Sequence, residues 1–189
     1  MTESRKDIAV IIGKLVLVSL VAALLLGLTY VPTQEQLEKN EKEAKKEALS
    51  QVVPSASDFE PVYGNEVNED GDRKILYYKA LDSSGNVVGY AFFTTQSGAQ
   101  DVIQLAGGVD ASFNKVTGME VMKHSETPGL GSKITEEDFK GQFRQLPIGD
   151  LQISSAGGSI DAITGATISS LAVVDGLNAK IDEIEEQET

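Results

Sequence analysis

Cysteine and tryptophan are absent from this 189-residue chain, and histidine occurs once, as His124. Without cysteine there are no disulfide staples, no thiolate-held zinc or iron–sulfur cluster and no cysteine nucleophile. One histidine leaves no His-rich metal site and no bis-His haem within a single chain. Basic residues are scarce too: 16 Lys and Arg stand against 29 Asp and Glu, a formal net charge of −13. Such a chain has no basic face able to displace counterions from phosphates, which excludes nucleic acid as a partner. Any redox chemistry must therefore rest on an organic cofactor. The length fits one domain of ordinary size.

Charge is all but missing from one long stretch. Ile8 to Val31 is apolar except for Lys14. A helix of about 20 such residues crosses the hydrocarbon core of a bilayer, and Lys14 lies near enough to one end for its stem to snorkel. A cleaved signal peptide is the rival reading. The run exceeds the usual apolar core of a signal, and no small-x-small site precedes Tyr30-Val31-Pro32, so a retained anchor in the lipid bilayer is favoured. Arg5, Lys6 and Lys14 against Glu3 and Asp7 leave the first 14 residues at +1 and the remainder at −14. A short basic head tends to stay inside while polar domains cross. The expected topology is a single-pass cell (inner) membrane protein, N-terminus cytoplasmic and acidic domain extracytoplasmic.

Residues 32–57 form a charged linker. Pro32 precedes Thr33, and Gln36 three residues on completes a capping box, so a new helix is expected to start there. Glu38–Lys42 and Glu41–Lys45 are i,i+4 pairs, and Leu37, Ala44 and Leu49 give a thin apolar stripe. The segment reads as a solvated stalk or as a docking helix. Pro54-Ser55-Ala56-Ser57 marks the start of the globular part.

Residues 58–189 read as α+β: an antiparallel sheet with flanking helices. Strands are expected at 74–80 and 87–94, joined by the turn Asp82–Asn86, and at 102–109 and 116–122, joined near Phe113-Asn114-Lys115. A short helix should start at Thr135, with Glu136, Glu137 and Asp138 complementing its dipole. The last helix carries Ile168, Leu171, Val174, Leu177, Ile181 and Ile184 at helical spacing.

Two stretches exceed ordinary punctuation. Asp161-Ala162-Ile163-Thr164-Gly165-Ala166-Thr167-Ile168-Ser169-Ser170 sets four hydroxyls and small residues at the start of the last helix. Unpaired N–H groups and the positive dipole end favour an anion there, and Gly165 and Ala166 leave the backbone open to a ligand. The plain alternative is N-capping by Thr164 or Thr167. Glu126-Thr127-Pro128-Gly129-Leu130-Gly131 pairs a Pro-fixed corner with two glycines, a loop able to lay backbone against a flat ring or a phosphate.

Thr164-Gly165-Ala166-Thr167-x-Ser169-Ser170 preceded by Asp161 resembles the flavin-attachment motif of the bacterial FMN-binding domain family. Glu126 to Gly131 resembles that family's second hallmark loop, and the anchor-then-domain layout matches as well. The family includes the G subunit of the Rnf ion-translocating oxidoreductase and the C subunit of the sodium-translocating NADH:quinone oxidoreductase. The chain's short length is more similar to the Rnf protein.

The resemblance implies FMN joined through its phosphate to the hydroxyl of Thr167 by a dedicated flavin transferase that uses FAD and a divalent metal. It further implies an electron-carrying role among other membrane subunits of an Rnf-type, ferredoxin:NAD oxidoreductase complex that moves ions. Asp161, Thr164, Gly165, Ala166, Ser169 and Ser170 would flank the attachment point, with Thr127, Gly129 and Leu130 near the flavin. Glu126 reads equally as a flavin-side acceptor and as a loop-bracing carboxylate. His124 reads as an ordinary hairpin-end histidine and Lys133 as a solvated lysine. Two rivals stay open: a cofactor-free membrane-anchored scaffold or binding module, and a stand-alone membrane-tethered flavoprotein donor.

Overall fold

A computed structural model describes residues 2–67, 71 and 73–188. The chain divides into two compact units, Met1–Lys45 and Lys46–Thr189.

The first unit is helical. Helix α1 runs Thr2–Val52, and within it Val10–Gly27 has a mean hydropathy of 2.6 with no residue buried. By length and composition this stretch is able to cross a membrane. A separate helix starting at Thr33 is not observed. The helical backbone continues through Pro32, and Gln36 donates to Asn40 Oδ1 at 2.7 Å instead of reaching back to cap. Pro32 forfeits one backbone bond, but the strong helix formers Leu, Ala, Glu and Lys on either side keep both flanks helical.

The second unit is built on a six-stranded antiparallel sheet in sequential order. Its strands are β1 Asp58–Val67, β2 Arg73–Leu81, β3 Val87–Ser97, β4 Val102–Asp110, β5 Lys115–Lys123 and the two-residue β6 Leu146–Pro147. β2 to β5 lie where alternating β-branched and aromatic residues predict them. β1 and β6 are not predicted by that pattern: Pro61 and Gly64 interrupt β1, which pairs only as an edge with register shifts, and β6 is too short to show a period.

Both sheet faces are covered. On one, helix α3 Thr167–Glu188 packs across β3 and β4. Phe92, Leu105, Val109, Val174, Leu177 and Ile181 form the centre of that core. Ile168 does not join the stripe and is 62% exposed. Burial in the helix instead starts at Ser169 and runs on through Ala172 and Val173, because in the first turn Ser169 and Ser170 face inward, Ser169 onto Glu126, while Ile168 faces outward. The far end of α3 is latched: Glu188 accepts from the Tyr77 hydroxyl, from Lys79 Nζ at 2.9 Å and from the Tyr90 hydroxyl at 3.2 Å.

On the other face lie the last turns of α1 and the residue beyond it. Ala48, Leu49, Val52 and Val53 are buried against Ala80, Ala91 and Ala106. The close approach depends on Gly108: a Cβ there would lie 2.7 Å from Val53 Cγ2 and 2.6 Å from Thr117 Oγ1. Thr117 in turn donates to the Val52 carbonyl. This end of the charged segment is therefore core, not solvated surface.

Between β5 and α3 the chain makes short turns. The helix expected at Thr135 begins later, as α2 Glu137–Lys140. Residues Gly131–Thr135 form a 3-10 turn, in which the Thr135 hydroxyl donates to the Ser132 carbonyl at 2.9 Å and so cannot cap α2.

Candidate functional site

The two unusual stretches meet. In the first, Leu130 N–H donates to the Thr127 carbonyl at 3.1 Å across Pro128 and Gly129, and Gly129 has φ +76°. Pro at the second place and a positive-φ glycine at the third are the signature of a type II turn. In the second, Ala166 N–H donates to the Ile163 carbonyl at 2.9 Å across Thr164 and Gly165, whose φ is +81°. The same turn thus recurs. Leu130 Cδ2 lies 3.3 Å from where a Cβ on Gly165 would stand, so the tips of the two turns touch.

Behind the contact sits Glu126, only 4% exposed. Its Oε1 accepts from the amides of Ala99 and Gln100 at 2.9 and 3.1 Å, and its Oε2 accepts from the Ser169 hydroxyl at 2.6 Å. Gly131 leaves room for this bridge, because a Cβ there would lie 2.7 Å from Ser169 Oγ. Burial alone would push the Glu126 carboxyl up. The hydrogen bonds from Ser169, Gln100 and Ala99, with His124 nearby, outweigh it and hold the group below the usual carboxylate range. Both oxygens of Glu126 are therefore spent on bracing. His124 Nδ1 accepts from the Glu126 N–H at 3.2 Å and belongs to the same brace.

The hydroxyls divide into two classes. Ser169 and Ser170 are fully buried; Ser170 Oγ accepts from the Ile163 N–H at 3.0 Å and donates to the Ala166 carbonyl at 3.1 Å. Thr164 and Thr167 are exposed. Neither acts as the expected cap, since α3 begins at Thr167 and the position before it is Ala166, whose methyl cannot accept a bond. The Thr167 hydroxyl makes no hydrogen bond among the described residues and points its chemistry outward. Next to Thr167 in the chain is the exposed Ile168, and the 45%-exposed Leu130 lies against Gly165.

Asp161 opens the segment with its side chain exposed. Its backbone is tied by Gln142: the Asp161 N–H donates to Gln142 Oε1 at 2.7 Å, and Gln142 Nε2 donates to the Asp161 carbonyl at 3.4 Å. Sequence reasoning misses Gln142, because a glutamine in a polar stretch carries no signal that sets it apart. Thr127 and Gly129 are exposed on the facing turn, and Lys133 is exposed beyond it.

A flavin phosphate suits this arrangement. An uncommitted hydroxyl stands at the first residue of a 22-residue helix, where N–H groups and the dipole favour negative charge. Gly165 has a positive φ, and a Cβ there would meet only the apolar Leu130, at 3.3 Å.

The sequence profile of the FMN-binding domain family matches residues 98–182, which span both turns and Glu126. The G subunit of the ion-translocating oxidoreductase complex of Methanosarcina acetivorans is 53% identical over 186 residues, covering 98% of this chain and 99% of that protein. The G subunit of the Na(+)-translocating ferredoxin:NAD(+) oxidoreductase complex of Acetobacterium woodii is 33% identical over 180 residues, 88% and 86% of the two chains. Among solved structures, the C subunit of the Na(+)-translocating NADH-quinone reductase from Parabacteroides distasonis shares the fold. Its TM-score is 0.58 at 18% identity, covering 82% of this chain and 97% of that one.

Proposed function

This chain belongs to the G subunit family of ion-translocating oxidoreductase complexes, and from that premise we propose that it is a membrane-anchored electron carrier whose FMN is bonded through phosphate to Thr167. The observation that carries this reading is the contrast among the motif hydroxyls. Ser169 and Ser170 are buried and hydrogen-bonded, whereas Thr167 is exposed and uncommitted at the helix start.

FMN, when bound, supplies electron transfer that no side chain of this chain provides. Thr167 offers the nucleophilic oxygen. The first-turn amides of α3 favour the phosphate, Gly165 and Ala166 keep the approach open, and Leu130, Thr127 and Gly129 present the facing surface. Attachment balances with FAD as donor: a bond forms between Thr167 Oγ1 and the FMN phosphorus, the pyrophosphate bond of FAD breaks, AMP leaves and the hydroxyl proton is released. A flavin transferase with a divalent metal carries out this step. The other partners are the remaining membrane subunits of an Rnf-type complex, and α1 anchors the carrier in the bilayer with its N-terminus on the cytoplasmic side.

The test is direct. Chain produced alongside a flavin transferase should fluoresce in a denaturing gel and gain the mass of FMN less water. Thr167→Val keeps the shape without the nucleophile, so it should fold and remain colourless. Covalent flavin retained by that variant would remove Thr167 from the assignment.

A further inference from the structure

Both ends of the attachment segment are tied to the domain by side chains that lie outside it. At its start, Gln142 in the 3-10 turn Gly141–Phe143 pairs with the Asp161 backbone as a neighbouring strand would, accepting at 2.7 Å and donating at 3.4 Å. At its end, Ser169 is held by Glu126 at 2.6 Å, and Glu126 is itself fixed by the amides of Ala99 and Gln100. Between the two ties lie the exposed Thr164, Gly165 and Thr167. The Asp161 carboxylate is left facing solvent although its backbone is bonded on both sides.

We propose that Gln142 and Glu126 are positioning residues for flavin attachment: they hold Asp161 and Ser169 so that the turn between them and the Thr167 hydroxyl meet the transferase in one fixed shape. The proposal rests on Thr167 being the attachment residue. Fixing the backbone of one otherwise free residue costs roughly a factor of ten in population. A segment freed at either tie would have to be ordered again within the transferase at each encounter. The ties are local. Gln142 is only half-buried and outside the hydrophobic core, so its loss touches the presentation of the segment far more than the fold.

The experiment uses the full chain in detergent micelles, incubated with flavin transferase, FAD and Mg²⁺. The initial rate of covalent flavin incorporation is followed by in-gel fluorescence at varied chain concentration. Gln142→Ala and Ser169→Ala should each lower kcat/KM at least tenfold, Gln142→Ala with the melting temperature unchanged. Gln142→Glu still accepts from the Asp161 N–H and should stay within about threefold of the native rate, by keeping the shorter of the two bonds. In the flavin-free Gln142→Ala chain, amide exchange at Asp161 should speed up at least tenfold, while amides at Leu177 and Ile181 hold their protection. Native-rate labelling of both Gln142→Ala and Ser169→Ala, with Thr167→Val blank, overturns the positioning roles and leaves Thr167 in place. Loss of rate only in variants that also melt lower overturns them too. Labelling of Thr167→Val would instead strike the attachment residue itself.

Discussion

Glu126 shows how one residue decides between two readings that its sequence position leaves open. A flavin-side acceptor would keep an oxygen free, and here both oxygens already hold protein donors. The carboxyl is buried, yet the bonds from Ser169, Gln100 and Ala99 keep its pKa depressed. A group whose folded value lies below the unfolded one, about 4.3 for Glu, contributes stability that is fully present above that pH. The contribution is lost as the pH falls through the folded value. Glu126→Gln retains an acceptor for the two amides and cannot ionise. Urea unfolding across the acid range should therefore find the variant less stable by roughly 2 kcal/mol at neutral pH, the scale of hydrogen bonds to a charged group. The gap should begin to narrow below about pH 4.3, where the unfolded chain starts to hold the proton, and close only once the pH has dropped through the lower folded value. A gap that stays constant with pH would show that the carboxylate charge is not what these donors hold.

Among the elements, the end of α1 changes where the domain begins. Cutting at Asp58 removes Leu49, Val52 and Val53 from the sheet face formed by Ala80, Ala91 and Ala106. Each fully buried Val or Leu is worth roughly 1.5–3 kcal/mol, so the loss is of order 5 kcal/mol against a total stability of about 5–15 kcal/mol. A chain starting at Lys46 should give a single cooperative unfolding transition, and one starting at Asp58 should be insoluble or bind hydrophobic dyes. Equal stability of the two would make the α1 end dispensable. This contact is hidden in the sequence for a physical reason. Its acceptor surface is alanine and glycine, which raise no hydrophobic signal, and its donor residues come after a run of charge. β2 to β5 and α3 are legible because each buries one face and so carries a period. In the site, the two glycine turns are legible from local chemistry, since Pro128-Gly129 and Gly165 encode their own backbone. The Glu126–Ser169 and Gln142–Asp161 ties are not, because residues 43 and 19 positions apart share no local pattern.

At the scale of the whole molecule, charge and tether point the same way. The head before and within the apolar run carries +1, and everything after it carries −14. Val10–Gly27 is long and apolar enough to span, and retaining a short basic head inside while a polar domain crosses is the favoured outcome. On the proposed topology the carrier would have no pool of free FMN to draw on, and the proposed phosphoester at Thr167 would keep the chromophore where diffusion would lose it. On the same proposal the exposed segment around Thr167 would be modified after folding and export, with the transferase on the same side. A reporter fused after Thr189 that is active only when exported should therefore be active, and one that is active only in the cytoplasm should be silent. Protease added to intact cells stripped of their wall should digest the domain and spare the first residues. A domain protected under those conditions would reverse the orientation and place the attachment step in the cytoplasm. The covalent tether would then need a different reason, such as holding the flavin at one distance from its redox neighbours.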